Sequence, residues 1–176
     1  METGQGIRLD TLDQPPMMMD VVVEKAALTE GVALETSTGI TRLGSVPIFV
    51  RDQDQALAFY RNQLGFEVLM DIPIGGGKRW ISVVRQRGET ELILFHPASY
   101  SGNSERTEAL EQRVGIWTGI VFHTDDIEAA YHALRGRSVI FSGPPKRQPW
   151  GGWEAYFSDP DGNQFHLTQR PSGMPS

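Results

Sequence analysis

The apolar run Val46-Pro47-Ile48-Phe49-Val50 after Ser45 predicts a strand, with Val46, Ile48 and Val50 on one face. Pro47 sets that strand at a sheet edge or near its own end. Asp52 and Gln55 then stand as a cap and its partner three residues on. Ala56, Leu57, Tyr60 and Leu64 follow at helical spacing, and Gly65 stops the helix. Residues 66–74 predict a strand, Gly75-Gly76-Gly77 a turn, and residues 79–85 and 90–95 two further strands.

The second half repeats the plan. Residues 117–124 read as a strand. Asp125 and Asp126 cap a helix carrying Ala130, Tyr131 and Leu134, which Gly136 ends. Residues 138–141, 154–157 and 163–168 complete three more strands. The last two are joined by Asp159-Pro160-Asp161-Gly162-Asn163, a tight turn in which Pro160 fixes φ and Gly162 takes φ > 0. A shift of 74 residues carries Asp52 to Asp126, Ala56 to Ala130 and Tyr60 to Leu134. The predicted fold is α+β: two tandem βαβββ modules, 43–97 and 114–170, forming one cup-shaped mixed sheet with helices outside. Residues 98–113 are a polar linker with room for one short helix. Residues 1–40 read as a flexible N-terminal extension, although Val21, Val22 and Val23 after three methionines also fit a short strand or docked arm. Residues 41–170 make the domain and 171–176 a tail.

A formal charge of −6 argues against a nucleic-acid partner. There is no cysteine, which removes disulfides, thiolate nucleophiles and zinc–thiolate sites. No apolar run reaches the roughly 20 residues of a membrane span, and no leader pattern opens the chain. The expected location is cytoplasmic. The glycine turn lacks the Lys-Ser/Thr of a phosphate loop.

Candidate chemistry follows from alternation. The strand leaving the 159–163 turn aims every second side chain at one face, His166 among them. His166 is open to three roles: metal ligand, general base or hydrogen-bond partner of a ligand oxygen; a neutral structural histidine is the fourth reading. Tyr156 is placed inward on the neighbouring strand. Lys78, Arg79 and Trp80 can recognise a carboxylate or a ring, or form a basic hairpin tip. Trp150 and Trp153 suit the mouth of a cup or its core. Phe49 and Pro47 share parity with Ser45 and line the floor. Glu91 is a base or ligand candidate, or a solvated strand start. His96 and His132 read as surface residues.

Several phrases carry a resemblance. They are Asp52 through Phe59-Tyr60 with Leu64-Gly65-Phe66, then Thr124-Asp125-Asp126 through Ala129-Ala130-Tyr131, Trp150-Gly151, and Phe157 through Asn163. Residues 43–169 resemble the vicinal oxygen chelate superfamily, the glyoxalase, bleomycin-resistance and extradiol-dioxygenase group. The resemblance implies four metal-ligand points, on the first and last strand of each module. They fall on Ser45, on Gly119, on His166, and on Glu91 or Ile93. Gly119 has no side chain and Ser45 is a poor ligand. His123 stands about 13–14 Å along its strand from Gly119, at roughly 3.4 Å per residue. The expectation is a binder of a small, partly apolar molecule, neutral or anionic, without a complete metal site. Its contacts would be Ser45, Phe49, Arg79, Trp80, His123, Trp153, Tyr156 and His166. The alternatives implied by the family are a metal-dependent lyase or dioxygenase, with His166 and Glu91 catalytic and holding Ni, Fe, Zn or Mn, and a sequestering resistance protein whose acidic cup suits a cationic drug. The resemblance also implies paired sheets across a homodimer.

Overall fold

The computed structural model describes residues 39–85, 90–99 and 104–173. The methionine and valine runs at 17–23 lie outside them. Module 1 contains β1 (Ser45–Phe49), α1 (Gln53–Ala58), β2 (Glu67–Gly75), β3 (Lys78–Val84) and β4 (Glu91–Phe95). The Asp52 carboxylate accepts from the Asp54 and Gln55 amides, each at 2.9 Å, and so caps α1. The helix then widens into a π-type turn over Phe59–Gln63, closed by Leu64 N to Phe59 O at 3.2 Å. The linker holds α2 (Ser104–Glu111), none of whose residues is buried.

Module 2 contains β5 (Trp117–His123), α3 (Ile127–Gly136), β6 (Ile140–Phe141), β7 (Lys146–Arg147), β8 (Trp153–Ser158) and β9 (Gln164–Gln169). Asp126 caps α3 by accepting from the Ala129 amide at 3.0 Å. The left-handed turn after α3 falls on Ser138 (φ 66°) instead of Gly136. The two-residue strand β7 carries no alternation that its sequence could show.

The α+β class and the two tandem units are as the pattern predicts. The strands divide into two mixed sheets, ordered β1-β4-β3-β2 and β5-β9-β8-β6, with β7 also pairing β8. In each, the first strand runs parallel to the last strand of its module. One core joins them. Ile48, Ile81, Val83 and Leu94 of the first sheet, with Val50 just beyond β1, belong to the same buried cluster as Phe157, Phe165 and Leu167 of the second. Tyr60 stands edge-on to Phe165 at 6.4 Å, and Phe66 to Phe122 at 6.0 Å. Burying each such side chain contributes about 1.5–3 kcal/mol. The shared core lies on the helix-covered side of both sheets. The second sheet keeps an open face on its other side, whereas Phe49, Ser82, Val84 and Ile93 on the other face of the first sheet are buried.

The 159–163 turn does more than join β8 to β9. Asp159 accepts from Tyr60 Oη at 3.0 Å, from Asn163 Nδ2 at 2.8 Å, and from the amides of Asp161 and Asn163 at 3.0 and 2.9 Å. Asn163 donates to Phe49 O at 3.0 Å and accepts from Gly115 N at 2.8 Å. Asp161 accepts from the Arg51 amide. The turn thus fastens module 2 to the end of β1 and to the helical segment of module 1. No helix among the described residues is long and apolar enough to cross a membrane.

Candidate ligand site on the second sheet

Strand register lines up the side chains on the open face of the second sheet. Glu154 of β8 lies opposite Thr168 of β9, and Thr168 pairs with His123 of β5. The next row is Tyr156, His166 and Val121. Trp117 completes an aromatic cluster: its ring lies 4.4 Å from that of His166, and the Tyr156 ring lies 4.1 Å from the same imidazole. Between Trp117 and Val121 the pairing slips, and Gly119 there has φ 73°. That conformation favours glycine and lets the strand bulge beside the cluster. Trp117 and Tyr156 remain 45% and 39% exposed, which is unusual for two rings so close together.

A cavity of about 430 Å³ lies against these rows. Val121, His166 and Trp150 form its apolar wall, and His123, Glu154, Thr168 and Arg170 supply its polar groups. Burial holds the His166 imidazole below the usual histidine pKa, against a smaller opposite pull from Glu154. Burial, and then the nearby Arg170 charge, lower His123 as well. Both rings are neutral at pH 7. Burial, then Glu154, raise Tyr156, whose hydroxyl donates to Glu154 Oε2 at 3.2 Å.

Thr168 Oγ1 sits 2.8 Å from His123 Nδ1, the spacing of a nucleophile and its base. The Arg170 contact assigns the imidazole to the opposite tautomer. Arg170 Nη2 lies 3.3 Å from His123 Nε2, and a guanidinium only donates. Nε2 is therefore the acceptor and the proton rests on Nδ1, pointing at Thr168. Thr168 passes its own hydrogen toward Phe122 O at 3.4 Å. In that tautomer Thr168 accepts from His123.

His166, Tyr156 and His123 thus come together as a group. The other anticipated contacts do not join them. Arg79 shares its strand face with Ile81 and Val83, on the core side, and is held by Asp71 (2.6 and 2.8 Å) and by Asp54. Those carboxylates raise its pKa further, and its place in the ligand set is corrected accordingly. Trp153 alternates with Tyr156 and packs against the core, so it too leaves the set. Phe49 is buried edge-on to Phe95 at 5.8 Å, with the Arg113 guanidinium 4.7 Å above its ring. Trp80 is half-buried in the first sheet, where its Nε1 has no hydrogen-bond partner. Ser45 and Glu91 pair in register on β1 and β4, in the other sheet from His166. Sequence reasoning passed over Trp117, Thr168 and Arg170, while alternation along β8 had already given Glu154 the face of Tyr156. Alternation from His123 back to Trp117 was signal enough for the first. Arg170 lies beyond the last strand residue.

The donors also test the metal that the resemblance implies for its enzymes. Among the described residues, no three His, Asp or Glu side chains gather where they could hold an ion. At the four expected points stand a serine, a glycine, a lone histidine, and either a glutamate from the other sheet or an isoleucine. That set does not fit a metal with three strong ligands. A larger hollow of about 1150 Å³ borders β1 and β5, but core-side groups such as Val46, Phe66, Ile120 and Phe122 dominate its wall.

Two tandem βαβββ modules define the paired-module class to which this chain's relatives also point. Residues 42–167 match the Glyoxalase/Bleomycin resistance protein/Dioxygenase superfamily, and the chain belongs to it. It is 32% identical over 130 residues to the Bacillus subtilis (strain 168) protein YetH, described as uncharacterized, spanning 74% of this chain and 99% of that one. A superfamily member from Sphaerobacter thermophilus DSM 20745 is 39% identical with TM-score 0.65, covering 75% of this chain and 99% of that one. TnmS3, an antibiotic binding protein from Streptomyces sp. CB03234, is 32% identical with TM-score 0.60, covering 75% and 98%.

Proposed function

We propose that the protein binds a small, flat, largely apolar organic molecule against the open face of the second sheet, and holds it without a metal and without converting it. The observation that carries this reading is the half-exposed cluster of Trp117, Tyr156 and His166 beside the 430 Å³ cavity. Aromatic rings gain about 0.5–1.5 kcal/mol per ring pair beyond area burial, so such a wall selects flat ligands. The likeness to an antibiotic binding protein supports sequestration as the role. The hydrogen-bond direction at His123 and Thr168 supports holding over turnover. A cytoplasmic setting goes with this reading, since no cysteine draws on an oxidising compartment.

A homodimer belongs to the same proposal. Every residue of β2 is exposed, including Val68, Leu69, Met70, Ile72 and Ile74. A second copy is the partner that would cover this surface. Light scattering should give about twice 19.6 kDa. To test binding, protein treated with EDTA is titrated with flat aromatic antibiotics while tryptophan fluorescence is followed. Saturable quenching, with the ligand recovered unchanged, supports the proposal. Conversion of the ligand, restored only by added metal, refutes it.

A further inference from the structure

We infer that the hollow of about 1150 Å³ between β1 and β5 is a second binding site, and that it takes an amphiphilic carboxylate, with the hydrocarbon tail inside and the head at Arg85 and Arg137. It shares with the aromatic site only Val121 and His123, on the β5 edge. The shared core is left open here. Val46, Leu64, Ile120, Phe122, Ala130 and Leu134 pack against it yet stay only partly buried, and all six line the hollow. Helix α3 turns Ile127 and Tyr131 into the protein. Ala130, Ala133, Leu134 and then Arg137 follow at the spacing of one helix face, along the hollow. Apolar surface left in water favours an apolar occupant in proportion to its area. No Trp or Tyr stands on this wall, and its aliphatic side chains conform to a flexible chain.

The charge at the hollow is one-sided. Arg85 Nη1 donates to Gly65 O at 3.4 Å, and Arg137 Nη1 to Gln63 O at 3.3 Å. Arg137 Nη1 also stands 3.8 Å from where a Cβ on Gly65 would lie, so both guanidiniums converge on the segment that ends the helical turn. Their partners there are neutral carbonyls. Neither arginine forms an ion pair with a described carboxylate, and each keeps N–H groups to spare. Arg42, on the same wall, is already engaged. Among the described residues, none that lines the hollow is Asp or Glu. A chain of formal charge −6 thus sets two exposed cations, and no acid, beside an apolar hollow. A carboxylate can accept from both forks, while an ammonium head meets like charge.

Decanoate, octanoate and decylammonium, each below its micelle concentration, are titrated into the full chain by calorimetry. Decanoate should bind about tenfold tighter than decylammonium, the size of one charge-assisted hydrogen bond. It should also bind about tenfold tighter than octanoate, from two more buried methylenes. The variant Arg85→Gln/Arg137→Gln should abolish the first ratio and keep the second. Ala133→Phe should weaken decanoate by crowding the tail. All three positions are exposed, so both variants keep their fold, which circular dichroism checks. None of the four tryptophans lines the hollow, so quenching by a flat aromatic ligand at the first site should be unchanged in both variants. Equal or tighter binding of decylammonium, a ratio that survives the double substitution, or decanoate binding untouched by Ala133→Phe overturns the inference while the aromatic site stands. Absence of decanoate binding, with a changed mass of Ala133→Phe in light scattering, would give the hollow to a second copy and overturn it as well.

Discussion

The two ends of the β8–β9 hairpin are built in opposite ways. At the turn, Asp159 and Asn163 are 4% and 1% exposed, and their side chains make hydrogen bonds to the turn and to module 1. Two residues before Ser158 and two beyond Gln164, Tyr156 and His166 pack against Trp117, with the Tyr156 ring 39% open. One hairpin therefore carries a saturated polar clamp and, a few residues away, an unsatisfied aromatic surface. Groups that have all their partners hold the modules in place. On the proposed reading, the open aromatic surface is what a ligand covers. The turn that dominates the sequence pattern is structural, and the proposed ligand site lies on the strands it joins.

The contrast predicts that substitutions at the two ends separate stability from binding. Asp159→Ala leaves four donors without their acceptor in a buried place, and should lower unfolding free energy by about 3 kcal/mol in a denaturant titration. Gly115→Ala should cost about 2 kcal/mol: its φ is 79°, and a Cβ would lie 2.9 Å from Asp161 O. Tyr60→Phe removes one of the four bonds to Asp159 and should cost about 1 kcal/mol. At the other end, Trp117→Ala should weaken ligand binding about tenfold while stability changes by less than about 1 kcal/mol. A Trp117→Ala protein as unstable as Asp159→Ala would erase the distinction.

The smallest expected effect is on pH dependence. His123 and His166 both have folded pKa values below 6.5, so below pH 6.5 the unfolded chain binds more protons than the folded one. Their contribution to stability is complete above pH 6.5, is lost as pH falls through the folded values, and levels off beneath them. The variant His123→Gln/His166→Gln should lose that part of the slope in urea midpoints taken from pH 7.5 downward. An unchanged slope would mean the imidazoles are not held neutral.

Much of the fold could be read from alternation and caps. Asp52 and Asp126 start their helices, and Val46, Ile48 and Val50 point to the core. The same alternation already excluded Trp153 once Tyr156 was set inward, since odd and even positions on β8 face opposite ways. Arg79 misled because a cation after a flexible turn reads as free, whereas its partner Asp71 lies across the hairpin at a register the sequence does not display. Which side of the two sheets would share a core was also hidden. It depends on Tyr60 reaching Asp159 and Phe165, a contact spanning about a hundred residues.

The four tryptophans let the central claim be tested in a single spectrum. In EDTA, a saturating flat aromatic ligand should shift the indole N–H resonances of Trp117 and Trp150 and leave that of core-packed Trp153 in place. Shifts at Trp153 with Trp117 and Trp150 unmoved would contradict a ligand site on the open face of the second sheet.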